Sequence, residues 1–304
     1  MKSSSVDATE STHIEIETAD SFMIHGFEWA PKGAQAVIVI ASAMGVKQDF
    51  YWPFAEWLAS QGFIAVTFDY RGMGRSRPPS LRGFEATIED WATKDCAALL
   101  EDLAARHELP IYWIGHSVGA QLLGLVPNRH RIKAMLSVAA GSGYWQHNAA
   151  PLRYYVLSLW FLIMPISIWL AGYFPGKRLG MVGDLPRGVA EQWRKWCLDA
   201  SYFGAEGATL RAQVADVKTP ITALSMQDDE LMTLRGTKAL FSLFESAPLD
   251  VQRLRPKDVG VRRIGHFGFF REAMQDKLWP IVPAWAGRDA AEAATSPSCA
   301  CAPS

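Results

Sequence analysis

Charge of one sign is the first thing this chain lacks. Its 304 residues carry 30 Lys and Arg against 31 Asp and Glu, a formal net charge of -1, and no basic block interrupts the balance. That argues against nucleic acid as the main partner, because phosphate binding needs a concentrated positive field. Cysteine is scarce too. Cys96 and Cys197 lie far apart in helix-like stretches, and Cys299 and Cys301 sit in an Ala/Ser/Pro tail without a nearby histidine. Neither a disulfide framework nor a zinc site fits, so the thiols are read as reduced and structural or incidental. There is no Gly-rich phosphate loop and no His, Cys or carboxylate run with ligand spacing, so neither a metal nor an organic cofactor is expected. Residues 1–7 contain no apolar signal-peptide core, which makes the cytoplasm the default location. Cys301-Ala302-Pro303-Ser304 fits a prenylation box in form only, since proline is a poor aliphatic residue and no polybasic stretch precedes it.

What the chain has in plenty is apolar sequence in short, regularly spaced runs. Hydrophobic residues make up 49% of it, enough for one large α/β domain with an insertion. Residues 13–17 and 23–29 read as a hairpin through Ala19-Asp20-Ser21. The runs at 36–41, 63–68, 111–114, 132–139 and 221–226 read as strands covered on both faces. Helical sequence separates them: residues 51–61 closed by Gly62 at C′, and a helix opened by a Thr87/Asp90 capping box that continues to about His107. In that helix Ala92, Cys96, Leu99, Leu100 and Leu103 share one face, which places Cys96 in the core. Strands alternating with helices predict a mostly parallel sheet flanked by helices.

Residues 141–214 interrupt the alternation. They contain an uncharged stretch, 154–174, long enough to cross a bilayer. Pro165 and the Gly172/Gly176 break favour two shorter helices instead. The expected organisation is therefore a core in two parts, residues 1–140 and 215–288, a helical cap at 141–214, and a tail without fixed structure at 289–304. Trp145, Trp160, Trp169, Trp193 and Trp196 are expected to build the cap's own core and an apolar wall for a pocket. A cap surface resting on a membrane interface is a further reading.

The chemistry centres on Gly115-His116-Ser117-Val118-Gly119, which follows an apolar strand and opens a helix. Strand, Gly-x-Ser-x-Gly and helix form the nucleophile elbow of an α/β-hydrolase, with glycines where the backbone passes too closely for a Cβ. A serine hydroxyl needs a base within reach, and in this fold the chain order is Ser, acid, His. His130 follows too closely behind the elbow and His147 begins the insertion, which leaves His266. The acid ends the strand at 221–226, where Gln227-Asp228-Asp229-Glu230 offers three carboxylates. Repulsion keeps all three from being buried, so one points inward and the others face water. Asp229 is the choice and Asp228 its rival. One oxyanion donor is the N–H of Val118; the other comes from Ser42-Ala43-Met44-Gly45, with Met44 preferred over Ala43.

These motifs resemble the monoglyceride-lipase and serine-aminopeptidase-like group of α/β-hydrolases. The nearest likeness is to bacterial predicted hydrolases that carry Asp-Tyr-Arg-Gly-x-Gly-x-Ser, Gly-His-Ser-x-Gly and Gly-His-Phe-Gly-Phe-Phe-Arg, here residues 69–76, 115–119 and 265–271. The resemblance runs from about Ile14 to Trp285. It implies the fold and a Ser117, Asp229 and His266 triad, and says little about substrate. Residues 69–76 are read as a structural turn beside the site. The expected function is hydrolysis of a carboxylic ester or related acyl bond of a hydrophobic small molecule. The competing class is a non-catalytic binding or membrane-associated protein on the same fold. Nothing in the sequence indicates an oligomeric state.

Overall fold

The computed structural model describes residues 9–287. The tail at 289–304, with Cys299 and Cys301, lies outside the described residues.

Eight strands form one mixed sheet: β1 (Ser11–Glu17), β2 (Met23–Trp29), β3 (Val37–Ala41), β4 (Ile64–Phe68), β5 (Ile111–His116), β6 (Ile132–Val138), β7 (Ile221–Met226) and β8 (Leu249–Leu254). Their order is β1-β2-β4-β3-β5-β6-β7-β8, so the chain starts near one edge, crosses over, and then builds outward. β1 and β2 pair antiparallel, as do β2 and β4; every later pair is parallel. This is the expected α/β class. Every residue of β3, β4 and β5 is buried, because helices cover both faces. Strand alternation divides the core in two: Val37, Val39 and Trp113 pack on one face, Ile38, Ile40, Tyr112 and Ile114 on the other.

The local signals explain most of the helices. Helix Trp52–Ser60 follows a 3₁₀ turn, Gln48–Tyr51, and Gly62 takes φ +85° just beyond it. The capping box at Thr87 is complete. Thr87 Oγ1 accepts from the Asp90 N–H at 3.0 Å, and the Asp90 carboxylate accepts from the Thr87 N–H at 2.8 Å. From there the helix passes through a π turn, Trp91–Cys96, into Ala97–Arg106, and Cys96 is fully buried. β8 has no counterpart in the sequence reading. As an edge strand it is half-exposed and carries Asp250, Gln252 and Arg253, so no apolar run announces it.

Between β6 and β7 the chain forms helix Ala150–Ser158, a π turn Leu159–Ile163, helix Met164–Ala171, helix Arg187–Leu198 and helix Ala208–Ala215. The expected break at Pro165 does not occur: residues 150–171 form one continuous helix, ended by Gly172 at φ +80°. The proline ring would meet the carbonyl of Phe161, and the wider π turn lies at that position. Trp160 and Trp196 are buried, while Trp145 and Trp193 pack against the core from partly buried positions. Trp169 departs from expectation and is 81% exposed. Its neighbour Ile168 takes the inward face, and one residue further along turns the indole about 100° away.

Candidate active site

At the end of β5 the backbone turns sharply, with Ser117 at φ 54° and ψ -115°, as the N-cap of helix Val118–Gln121. A non-glycine residue held there stores on the order of 1–3 kcal/mol of strain. The flanking glycines make the turn feasible. A Cβ on Gly115 would stand 2.3 Å from Ala120 Cα, and one on Gly119 would stand 2.2 Å from the Ala41 carbonyl oxygen. The same contact sets the loop after β3 against the start of this helix. Ser117 is 8% exposed.

The carboxylates after β7 converge on the loop that carries His266. Asp229 Oδ2 lies 2.9 Å from His266 Nδ1, while its Oδ1 accepts the Leu231 and Met232 N–H groups, each at 2.8 Å. Asp228 accepts the Ile264 N–H at 2.8 Å and the Gly265 N–H at 3.2 Å. Glu230 accepts the His266 N–H at 3.2 Å and pairs with Arg263 at the same distance. Asp229 is thus the inward carboxylate of the three. Its two neighbours do more than face water: they fasten the backbone of the histidine loop. On β8, Arg253 bonds Ser225 Oγ and the Gln227 carbonyl, which steadies the same turn.

A second set of bonds escaped the sequence reading. The Ala43 N–H donates to Tyr51 Oη at 3.0 Å, Tyr51 Oη lies 2.8 Å from His116 Nδ1, and His116 Nε2 lies 3.0 Å from the His266 carbonyl oxygen. This buried line joins the loop after β3, the residue before Ser117, and the backbone of His266. Burial holds the His116 imidazole well below its usual pKa and raises that of the Tyr51 phenol, so both stay neutral. Strand alternation turns His116 to the face opposite Trp113, and that periodicity was the available signal. Nothing in the sequence pointed to Tyr51. Its bond commits the Ala43 N–H, and Met44 N–H makes no hydrogen bond among the described residues. Among the described residues Ser117 Oγ makes no hydrogen bond to His266 in this conformation.

The turn at 69–76 is held as a structural unit. Asp69, whose carboxyl is raised by burial, accepts from Gln48 Nε2 at 2.7 Å and from the Arg75 N–H at 2.9 Å. Arg71 Nε donates to buried Asp95 at 2.7 Å, and Arg71 Nη1 to Asp20 at 2.7 Å.

The segment between β6 and β7 touches three loops of the site. The Gly183 N–H donates to the Gly45 carbonyl at 3.2 Å, Tyr202 Oη donates to Gln121 Oε1 at 3.0 Å, and Asn148 bridges to Met232. Far from the site, His13, Glu15 and His25 bring ligand-capable atoms within 4.8 Å across the β1–β2 hairpin, a cluster that linear spacing hides. These groups already satisfy one another: His25 Nδ1 lies 3.3 Å from His13 Nε2 and 3.5 Å from Glu15.

A mostly parallel eight-stranded sheet, with a strained serine after its central strand and an acid–histidine pair beyond later strands, is the architecture of an α/β-hydrolase. The chain shares the α/β-hydrolase fold. Residues 32–178 match the family described as serine aminopeptidase, S33. Solved structures share the fold along nearly the whole chain. Monoglyceride lipase from Saccharomyces cerevisiae, a soluble variant in complex with a substrate analogue, has a TM-score of 0.65 at 13% identity, over 93% of this chain and 96% of that one. DcsB in complex with its substrate analogue gives 0.61 at 17%, over 93% and 100%. The Pyrococcus furiosus esterase Pf2001 gives 0.59 at 15%, over 92% and 91%. No curated protein matches the sequence.

Proposed function

We propose that the protein is a serine hydrolase that cleaves a carboxylic ester, or a related acyl bond, of a hydrophobic small molecule through an acyl-enzyme. The observation that carries this reading is the 2.9 Å contact between His266 and Asp229, in a fold whose elbow presents Ser117 in a strained turn. Ser117 Oγ attacks the acyl carbon and gives its proton to His266 Nε2. Asp229 keeps the imidazole proton on Nδ1 and stabilises the imidazolium that forms. The N–H groups of Met44 and Val118 receive the oxyanion, since Ala43 is already committed to Tyr51. His266 then protonates the leaving alkoxide, and water attacks the acyl-enzyme with His266 as base, releasing the acid and free Ser117. Residues 141–214 act as a cap whose contacts with Gly45, Gln121 and Met232 cover the site. The substrate analogues bound to two of the fold relatives support a small-molecule substrate.

The test is labelling with a fluorophosphonate probe beside Ser117→Ala, followed by p-nitrophenyl esters of graded chain length. Labelling is expected in the native chain and not in the variant, with an optimum at medium or long acyl chains. A folded native chain that does not label supports the non-catalytic reading instead. Activity that falls steadily from the two-carbon ester removes the hydrophobic-substrate assignment.

A further inference from the structure

Most of the large apolar side chains that the described residues expose are concentrated in one place. Of twelve, ten lie between Tyr154 and Met181, and eight of those are on the helix at 150–171. One stripe of this helix docks on the protein through Val156, Trp160, Met164 and Ile168, all buried. The remaining surface presents Tyr154, Tyr155, Phe161, Leu162, Trp169 and Leu170 to the outside. Soluble proteins seldom leave so continuous an apolar face uncovered.

The helix is 22 residues long and contains an 18-residue window with a mean hydropathy of 1.8, enough to span a bilayer by length and composition. The sheet excludes a single crossing. β6 precedes the helix, β7 follows it, and the two pair in parallel, so both ends of the insertion return to the same side. The inward stripe also fixes the helix along the protein surface. An apolar helix lying flat is the geometry of an interfacial segment.

The charges around this face select its occupant. Residues 150–187 carry Arg153, Lys177, Arg178 and Arg187 against one acid, Asp184, in a chain whose net charge is -1; of the four, Arg187 is paired with Glu191 at 2.9 Å. Asp184 is already paired with Arg77 at 2.8 Å. Arg194 lies over the Phe161 ring at 5.2 Å, and Arg82 donates to the Leu170 carbonyl at 3.0 Å, which brings cations to the helix from neighbouring elements. We propose that this face docks on an anionic lipid bilayer. Its apolar side chains enter the boundary between headgroups and acyl chains, and its basic rim meets the headgroup phosphates. Trp169, Tyr154 and Tyr155 are the residue types that settle at that depth. A second copy of the chain is the poorer occupant, because a two-fold contact would set one basic rim against another.

The proposal is independent of the hydrolase reading and is tested without a substrate. The full chain is floated with vesicles of phosphatidylcholine alone and of phosphatidylcholine with phosphatidylglycerol, at low and high salt. Flotation with the anionic vesicles is expected, weakened by salt. Phe161→Glu with Trp169→Glu, and separately Lys177→Glu with Arg178→Glu, should each lower the bound fraction about tenfold or more. All four positions are exposed, so circular dichroism and thermal melting should match the native chain. Three results would overturn the proposal: no flotation, equal flotation with neutral vesicles, or retention in the membrane after carbonate extraction. A dimer seen by sedimentation without lipid and dissolved by Phe161→Glu with Trp169→Glu would assign the face to a second copy instead.

Discussion

The hydroxyl of Tyr51 donates to His116 Nδ1, and the direction of this 2.8 Å bond is set by its neighbours. The His266 carbonyl can only accept, so His116 carries its proton on Nε2; the Ala43 N–H can only donate, so it takes a lone pair of Tyr51. Tyr51→Phe removes the hydroxyl and leaves both His116 Nδ1 and the Ala43 N–H unpaired in a dry core. The expected cost is about 2 kcal/mol or more, read from urea unfolding. Turnover should fall with KM nearly unchanged, because the freed Ala43 amide loosens the loop that carries Met44. A Tyr51→Phe chain as stable and as fast as the native one would mean that the line is incidental.

His116 also makes stability depend on pH. Its folded pKa lies well below the usual imidazole value of 6.5, so at lower pH the unfolded chain binds a proton that the folded chain refuses. The contribution is fully present above about pH 6.5 and is lost as pH falls toward the folded value. Denaturant midpoints measured between neutral and acid pH should therefore drop less steeply for His116→Asn than for the native chain. Equal slopes would exclude His116 as the source.

Two adjacent aspartates should behave differently. Asp229→Asn keeps the size of the side chain but loses the charge that holds His266, and kcat is expected to fall by about 10³ to 10⁴. Asp228→Asn weakens only the grip on Ile264 and Gly265, so turnover should stay within about tenfold while stability falls by about 1 kcal/mol. Steady-state kinetics on one ester, with melting curves for both variants, separates the two. A reversed order would assign the acid to Asp228.

Gly119→Ala places a methyl group against the Ala41 carbonyl, where backbone sits on both sides of the contact. A loss of about 3 kcal/mol is expected, enough to reduce the soluble yield, together with displacement of the loop that carries Met44. Chemical denaturation of the soluble fraction measures it, and a stable, fully active Gly119→Ala chain would refute the close approach.

Where side chains are buried in short runs, the sequence was readable. β3 to β7 are such runs, and the helix after Thr87 begins where its capping box begins. β8 was not readable, because an edge strand with Asp250, Gln252 and Arg253 needs no apolar pattern. Chain order alone pointed His266 toward a carboxylate after β7. That Asp228 and Glu230 bind loop backbone was hidden, since nothing in a row of acids says which amides will meet them. The bond that commits Ala43 was hidden for a similar reason: Tyr51 meets it only after the chain has folded back. Pro165 misled in the opposite direction, because a helix with a wider turn beneath the ring accommodates it.

That wider turn also acts as a phase setting. Val156, Trp160, Met164 and Ile168 recur every four residues, and in an ordinary α-helix such a series rotates about 40° per step away from its starting face. The π turn at Leu159–Ile163 accommodates one extra residue and offsets part of that drift. Wound as a regular α-helix without that turn, the same residues beyond it would swing by about 100°. Met164 and Ile168 would turn away from the protein, and Ile163 and Ser167 would take their places. The outward face of the whole helix, and so what the molecule presents to its surroundings, is set by one residue in the count.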